Sequence, residues 1–441
     1  MRRFLVVAGI VVLAGGAATA YYVMKHHRFG GDVVGSSTDG FNSTQIVTVP
    51  PPRHHHHESI VSPMFGEVPE HLHVGVGHVR PPFHLVWHAN GTSLVEFPPA
   101  VAFHHLYYAT AAGDLIAVST RTGKRMWTVH VRRCEAAGPA VGPYHGGTVY
   151  ESFLNRGKCR RGLPNLADGL LVAVAAGRSH KVRWQRNLGA TETSPTIVGK
   201  RLYVGSAAGD VYCLDAVHGK TIWRYHVNAP VKGAISYDRG KVFFGAYDGN
   251  LYALGAGKGT LVWTAHSARD WSGGHGNFYS TPAVAYSRVY VGSTDGKVYA
   301  FDERSGKLAW AHTTGGYVYG SPAVDSGRIL IGSYDHVFYA LNAATGKVEW
   351  SYRANDPISG SATVVAGLVY FATLHVRLTY ALDVRTGRRV WSMNDGGFGT
   401  VVTDGEKIYI GGWGKIYAYV PLRALVRPHV HPHHRHPRHH R

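Results

Sequence analysis

Cysteine is nearly absent from this 441-residue chain, which has only Cys134, Cys159 and Cys213. Three cysteines exclude a disulfide scaffold, and without CxxC or Cys/His spacing they exclude a structural zinc module. No two of them are adjacent. No helical period is sustained, which excludes helical bundles and helical solenoids. Catalytic signatures are missing too: no G-x-S-x-G, no H-E-x-x-H, no EF-hand loop and no P-loop. Acid is scarce, with 27 Asp and Glu against 46 Lys and Arg.

That imbalance is not confined to the ends. Residues 83–421 keep thirty-five Lys/Arg against twenty-two Asp/Glu, a net +13. A basic body favours anionic partners: acidic polymer, phospholipid head groups or nucleic acid. One long apolar run exists, Phe4 to Met24, flanked by "MRR" and "KHHR". At about 1.5 Å per residue a helix of this length spans a bilayer core. The same run also reads as a signal peptide with an A-x-A site at Ala18-Thr19-Ala20. Both readings place the remainder outside the cytoplasm. No cysteine follows the run, which argues against a lipoprotein anchor.

Residues 25–82 are rich in Pro, Gly and His and lack apolar period. By composition they form a disordered linker. Residues 422–441 are a second biased tail of His, Arg and Pro. Sixteen of the 30 histidines lie in residues 1–82 and 422–441. Neutral imidazoles bind divalent metals weakly, so a metal-binding role through these tails is an alternative, with no fixed metal site implied.

Between the tails one paragraph is written repeatedly. "LYVGSAAGDVYCLDAVHGKTIW" (202–223) and "VYVGSTDGKVYAFDERSGKLAW" (289–310) match through most positions. The anchors are Trp87, Trp127, Trp184, Trp223, Trp263, Trp310, Trp350 and Trp391, mostly about 40 residues apart. A Gly stands four residues before six of them, and Asp or Asn often stands four before the Gly. Each unit alternates apolar and polar residues at period 2 and turns at Gly/Asp pairs. Four short strands per 40-residue unit is the arithmetic of a propeller blade. Seven intervals follow Trp87, and the last strands (400–420) lack a terminal Trp of their own. Trp87 supplies it. The expected fold is therefore all-β, an eight-bladed propeller over 83–421, closed by an N-terminal outer strand and preceded by one apolar helix (1–24).

The D-x-x-[TS]-G-K-x-x-W unit, as in "LDVRTGRRVW" (382–391) and "LNAATGKVEW" (341–350), resembles the tryptophan-docking motif of pyrroloquinoline-quinone-type propeller repeats. The resemblance implies the propeller fold. Such propellers serve quinone dehydrogenases, an outer-membrane assembly lipoprotein and sensor domains. The dehydrogenases carry adjacent cysteines against the quinone and insertions that supply calcium ligands. Neither is found here, so no cofactor is expected, and a quinone-dependent dehydrogenase is kept as the alternative. The scaffold role is the leading reading, with an envelope protein or anionic cell-surface polymer as partner and the membrane reached through the N-terminal helix. Nucleic acid is set aside.

Two insertions mark a working face, because loops entering a blade and loops joining its second and third strands share one side. One is "ESFLNRGKCRRGLPNLADG" (151–169) and the other "TAHSARDWSGGHGNFYSTP" (264–282). Cys134 and Cys159 map to that side, so a disulfide between them is expected, while Cys213 reads as a core thiol. Arg132, Arg133, Arg156, Lys158, Arg160 and Arg161 form a candidate anion patch, or else a solvated loop. Trp271, His275, Phe278 and Tyr279 are candidate contact residues, or else fold back onto the blade.

Overall fold

The computed structural model describes residues 31–37, 40–43, 60–155, 166–268, 275–397, 399 and 401–422. Alternation of apolar and polar residues yields short antiparallel strands, grouped into eight sheets. Here A denotes the innermost and D the outermost strand of a blade. Blades 1 to 7 occupy 100–130, 140–186, 196–226, 236–266, 283–313, 323–353 and 363–394. Blade 8 combines three strands from 402–421 with Phe83–Asn90 as its outer strand. Ala418 lies opposite Trp87, so the ring is closed as its sequence implies.

The repeated Trp and Gly act between blades. Trp87, on blade 8, lies against Gly123 of blade 1, where a Cβ would come 2.6 Å from the indole. The same contact joins Trp184 to Gly219, Trp223 to Gly259, Trp263 to Gly306, Trp310 to Gly346 and Trp350 to Gly387. Each of these glycines has φ between +67° and +73°, a left-handed backbone that favours glycine. The indole N–H completes the dock. Trp223 donates to the Ala256 carbonyl and Trp310 to that of Ala343, each at 3.0 Å. Blade 2 lacks the glycine, and the ring of His180 stacks on Trp127 at 5.9 Å instead. The recurring Asp or Asn caps the same turn: Asp302 Oδ1 accepts from the Arg304 and Ser305 amides.

Residues 60–82 correct the linker expectation. They are ordered and thread the axis of the ring. Ile60–Ser62 pairs with the A strand of blade 1. The carbonyls of Pro63, Pro69, Glu70, Leu72 and His73 then accept from Val141, Tyr237, Val284, Val324 and Val364, on the A strands of blades 2, 4, 5, 6 and 7. The imidazole of His71 lies 3.1 Å from the Thr196 hydroxyl of blade 3. Gly77 meets Gly405 of blade 8. The inner edge of each blade's innermost strand exposes unpaired N–H groups, and this segment accepts from them in blades 2, 4, 5, 6 and 7. Composition signals no period because the order comes from backbone pairing.

A second stretch, Val33–Val34, adds to the outer edge of blade 5. The apolar segment expected to form a helix (1–24) and the tail 423–441 lie outside the described residues. Among the described residues no helix is long and apolar enough to cross a membrane.

Candidate functional site

The D–A connections, which leave one outer strand and enter the next blade, converge around the axis and form a mouth. It encloses about 150 Å³. Phe65, from the axial segment, is its floor. Around it runs a ring of hydroxyls from the Ser/Thr-Pro starts of the blades. Each joins neighbouring blades: Gly138 N–H donates to Ser194 Oγ, Ala234 to Thr281 Oγ1, Thr281 to Ser321 Oγ and Ser321 to Ser361 Oγ, at 2.9–3.0 Å. Small hydroxyl residues at strand starts thus lock the ring where it is most crowded.

One wall is tyrosine. Tyr247 and Tyr279 have ring centroids 6.2 Å apart, Tyr279 and Tyr319 5.5 Å, and Tyr319 and Tyr334 5.1 Å. Burial pushes the Tyr319 phenol up to about 12 and raises Tyr247 and Tyr279 as well, so all three stay protonated. Lys232 lies 5.1 Å from the Tyr247 ring centroid and pairs with Glu192 at 2.9 Å. Glu96 faces the same space; burial first, and then the Glu192 charge, raises its carboxyl. Behind it Glu135 and Glu151 are buried at 4% and 0% exposure. Burial first, and then neighbouring carboxylates, raise both well above the usual range.

The residues read from sequence separate on this frame. Tyr279 lines the mouth. Phe278 is fully buried against Tyr299 and Phe301 and is a core residue, a correction to its reading as a contact. His275 is half-buried, its Nδ1 2.7 Å from the Ser267 carbonyl. Arg133 is also corrected: it is buried and paired with Asp168, so it holds the inserted loop rather than an outside anion. Arg132 is exposed, with φ +58°. Arg156, Lys158, Cys159, Arg160, Arg161 and Trp271 lie outside the described residues. Cys134 is disulfide-bonded and Cys213 is free. The Cys213 thiol is buried, and burial pushes it up to about 11. The sequence reading missed the mouth-lining Glu96, Glu192, Lys232 and Tyr319. Their signal was position: each lies in a D–A connection, close before the small residues that open a blade.

Eight radial sheets, indole docking and an axial mouth define a propeller of the quinone-type repeat class. The family model described as "Outer membrane protein assembly factor BamB" matches residues 167–316, 248–394 and 295–423. The chain belongs to that family. Among solved structures it resembles BamB from Moraxella catarrhalis, at 18% identity and TM-score 0.62, over 77% of this chain and 99% of that one. It also resembles quinohemoprotein alcohol dehydrogenase from Comamonas testosteroni, at 14% identity and TM-score 0.68, over 92% of this chain and 84% of that one. A europium-containing methanol dehydrogenase gives 12% identity and TM-score 0.69, over 82% of this chain and 98% of that one. At such identities these likenesses concern the fold. One curated relative, the glycerol dehydrogenase large subunit of Gluconobacter oxydans (strain 621H), is 35% identical over 95 residues. The match spans 21% of this chain and only 13% of that protein.

The dehydrogenase likeness raises a fit question at the mouth. Pyrroloquinoline quinone is a planar tricarboxylate. Here it would meet the carboxyls of Glu96 and Glu192, with one ammonium, Lys232, already paired. The axial space below is filled by Phe65 and the segment that carries it. The residues do not fit the quinone, and no redox step is derived from it. Among the described residues no three His, Cys, Asp or Glu converge as a metal site.

Proposed function

We propose that the protein is a non-enzymatic scaffold of the cell envelope, exported and held at a membrane through residues 1–24. Its tyrosine-lined mouth engages a segment of a partner protein. The observation that carries this reading is the form of the mouth. It is a shallow bowl floored by Phe65 and ringed by hydroxyls, with phenols packed edge to face along one side. Rigid aromatic side chains around a partly desolvated pocket are what interface anchors require. Family membership supports the scaffold role. Within the mouth Glu96 and Glu192 face a single ammonium, Lys232, which favours a neutral or basic protein segment over an anionic polymer.

The test is recovery of a crosslinked partner from native membranes, comparing wild type with Tyr279→Ala/Tyr319→Ala. Loss of two anchors should cut recovery by tenfold or more, at about 1–2 kcal/mol each. Unchanged recovery would contradict the mouth as the site. Turnover of alcohols or sugars after reconstitution with pyrroloquinoline quinone and Ca²⁺ would overturn the scaffold reading itself.

A further inference from the structure

The two faces of the ring differ sharply in charge. The seven C–D hairpins hold eleven Lys/Arg against one acid, Glu303, and the A–B turns on the same side hold three against two. On the mouth side, the described residues of the B–C turns and D–A connections hold four Lys/Arg against nine Asp/Glu. Adding 156–165 and 269–274 by sequence brings that side to nine against ten. The net positive charge of the body is therefore concentrated on the face opposite the mouth. Lys124, Lys220, Lys258, Lys307 and Lys347 are exposed hairpin residues of this face.

A second feature coincides with the first. Six of the exposed large aliphatics are Met126, Val182, Ile222, Leu261, Val348 and Val390, at 38–50% exposure. Each occupies the first or second position of an outer strand, beside the basic hairpin. In blade 5 the equivalent position is covered by the chain's own residues 33–37, whose amides bond Leu308 and Ala309. The result is a broad basic face with an aliphatic rim. The last outer connection also ends there, where the Leu422 amide donates to the Pro82 carbonyl.

We infer that this face seats on an anionic lipid bilayer, leaving the mouth turned away from it. A flat ring of lysines and arginines matches a plane of acidic head groups, and the aliphatic rim reaches the acyl boundary. A nucleic acid or acidic polymer would use the charge and gain nothing from the rim. The seat goes beyond the mouth's role and does not depend on it.

The test is lysine acylation read by mass spectrometry, on the full chain with neutral phosphatidylcholine vesicles or vesicles containing about one-third phosphatidylglycerol. Lys124, Lys220, Lys258, Lys307 and Lys347 should be protected fivefold or more by the anionic vesicles alone. Lys232 and Lys415, on the mouth side, should label equally with both. High salt should erase the protection. In Lys220→Gln/Lys258→Gln/Lys307→Gln/Lys347→Gln, whose changed side chains are all exposed, vesicle affinity should fall roughly fivefold per charge removed, so that protection of Lys124 disappears. Equal labelling of the basic face with both vesicles, or selective protection of Lys232 and Lys415, overturns the inference. So does protection by duplex DNA or acidic polysaccharide without any by the vesicles.

Discussion

Gly346 shows how one residue carries the ring. Its φ is +73°, and a Cβ there would lie 2.6 Å from the Trp310 indole. Gly240 has φ +77° but open space around it. Gly346→Ala therefore incurs backbone strain and a clash, and should cost at least about 2 kcal/mol of stability. Gly240→Ala should cost only the strain, about 1 kcal/mol. Urea midpoints with unchanged slopes measure both. Equal costs would show that the indole dock is not tight. This layer was legible in the sequence, because a dock needs the same Gly and Trp in every unit. The mouth was less so: Glu96, Lys232 and Tyr319 each stand nine residues after a docking Trp, and Glu192 eight after Trp184, but they share no residue type that would mark the position. Nor could the sequence show that Phe278 and Arg133 turn inward.

At the scale of elements, the axial segment is the part that composition hid. Its residues bond blades 2, 4, 5, 6 and 7 through backbone carbonyls, and carbonyls leave no mark in side-chain pattern. Its buried titratable groups make its fit depend on pH. Burial pushes Glu67 up to about 8 from 4.5, so the fold keeps a proton that the unfolded chain releases above 4.5. That cost grows as pH rises from 4.5 to 8. Burial pushes His71 down to about 4 and His73 to about 3, from 6.5. The unfolded chain takes up protons that the fold refuses, and their contribution is lost as pH falls below 6.5. The segment should hold best near pH 6.5. Glu67→Gln should be nearly neutral at pH 5 and stabilising at pH 9 by a few kcal/mol at most. Thermal unfolding of the two proteins across that range decides it. A difference that does not vary with pH would mean that Glu67 is ionised in the fold.

For the whole molecule, closure governs everything else. The mouth exists only if blades 1 and 8 are neighbours, and the basic face is a face only if all seven hairpins point one way. Closure was predictable from a Trp before the array and a Trp missing after it. The division of charge was not, because it appears only once every turn is assigned to a side. The closing seam places Asn90 directly opposite Lys415 in adjacent strands, both exposed. Directly opposed positions bring Cβ atoms to about 4.5–5.5 Å, close enough to bridge with slight adjustment. Asn90→Cys/Lys415→Cys, oxidised under mild conditions and digested, should yield a disulfide-linked pair of peptides from the two ends of the ring. Recovery of those peptides unlinked, with both thiols free in the folded protein, would contradict the closed eight-bladed ring.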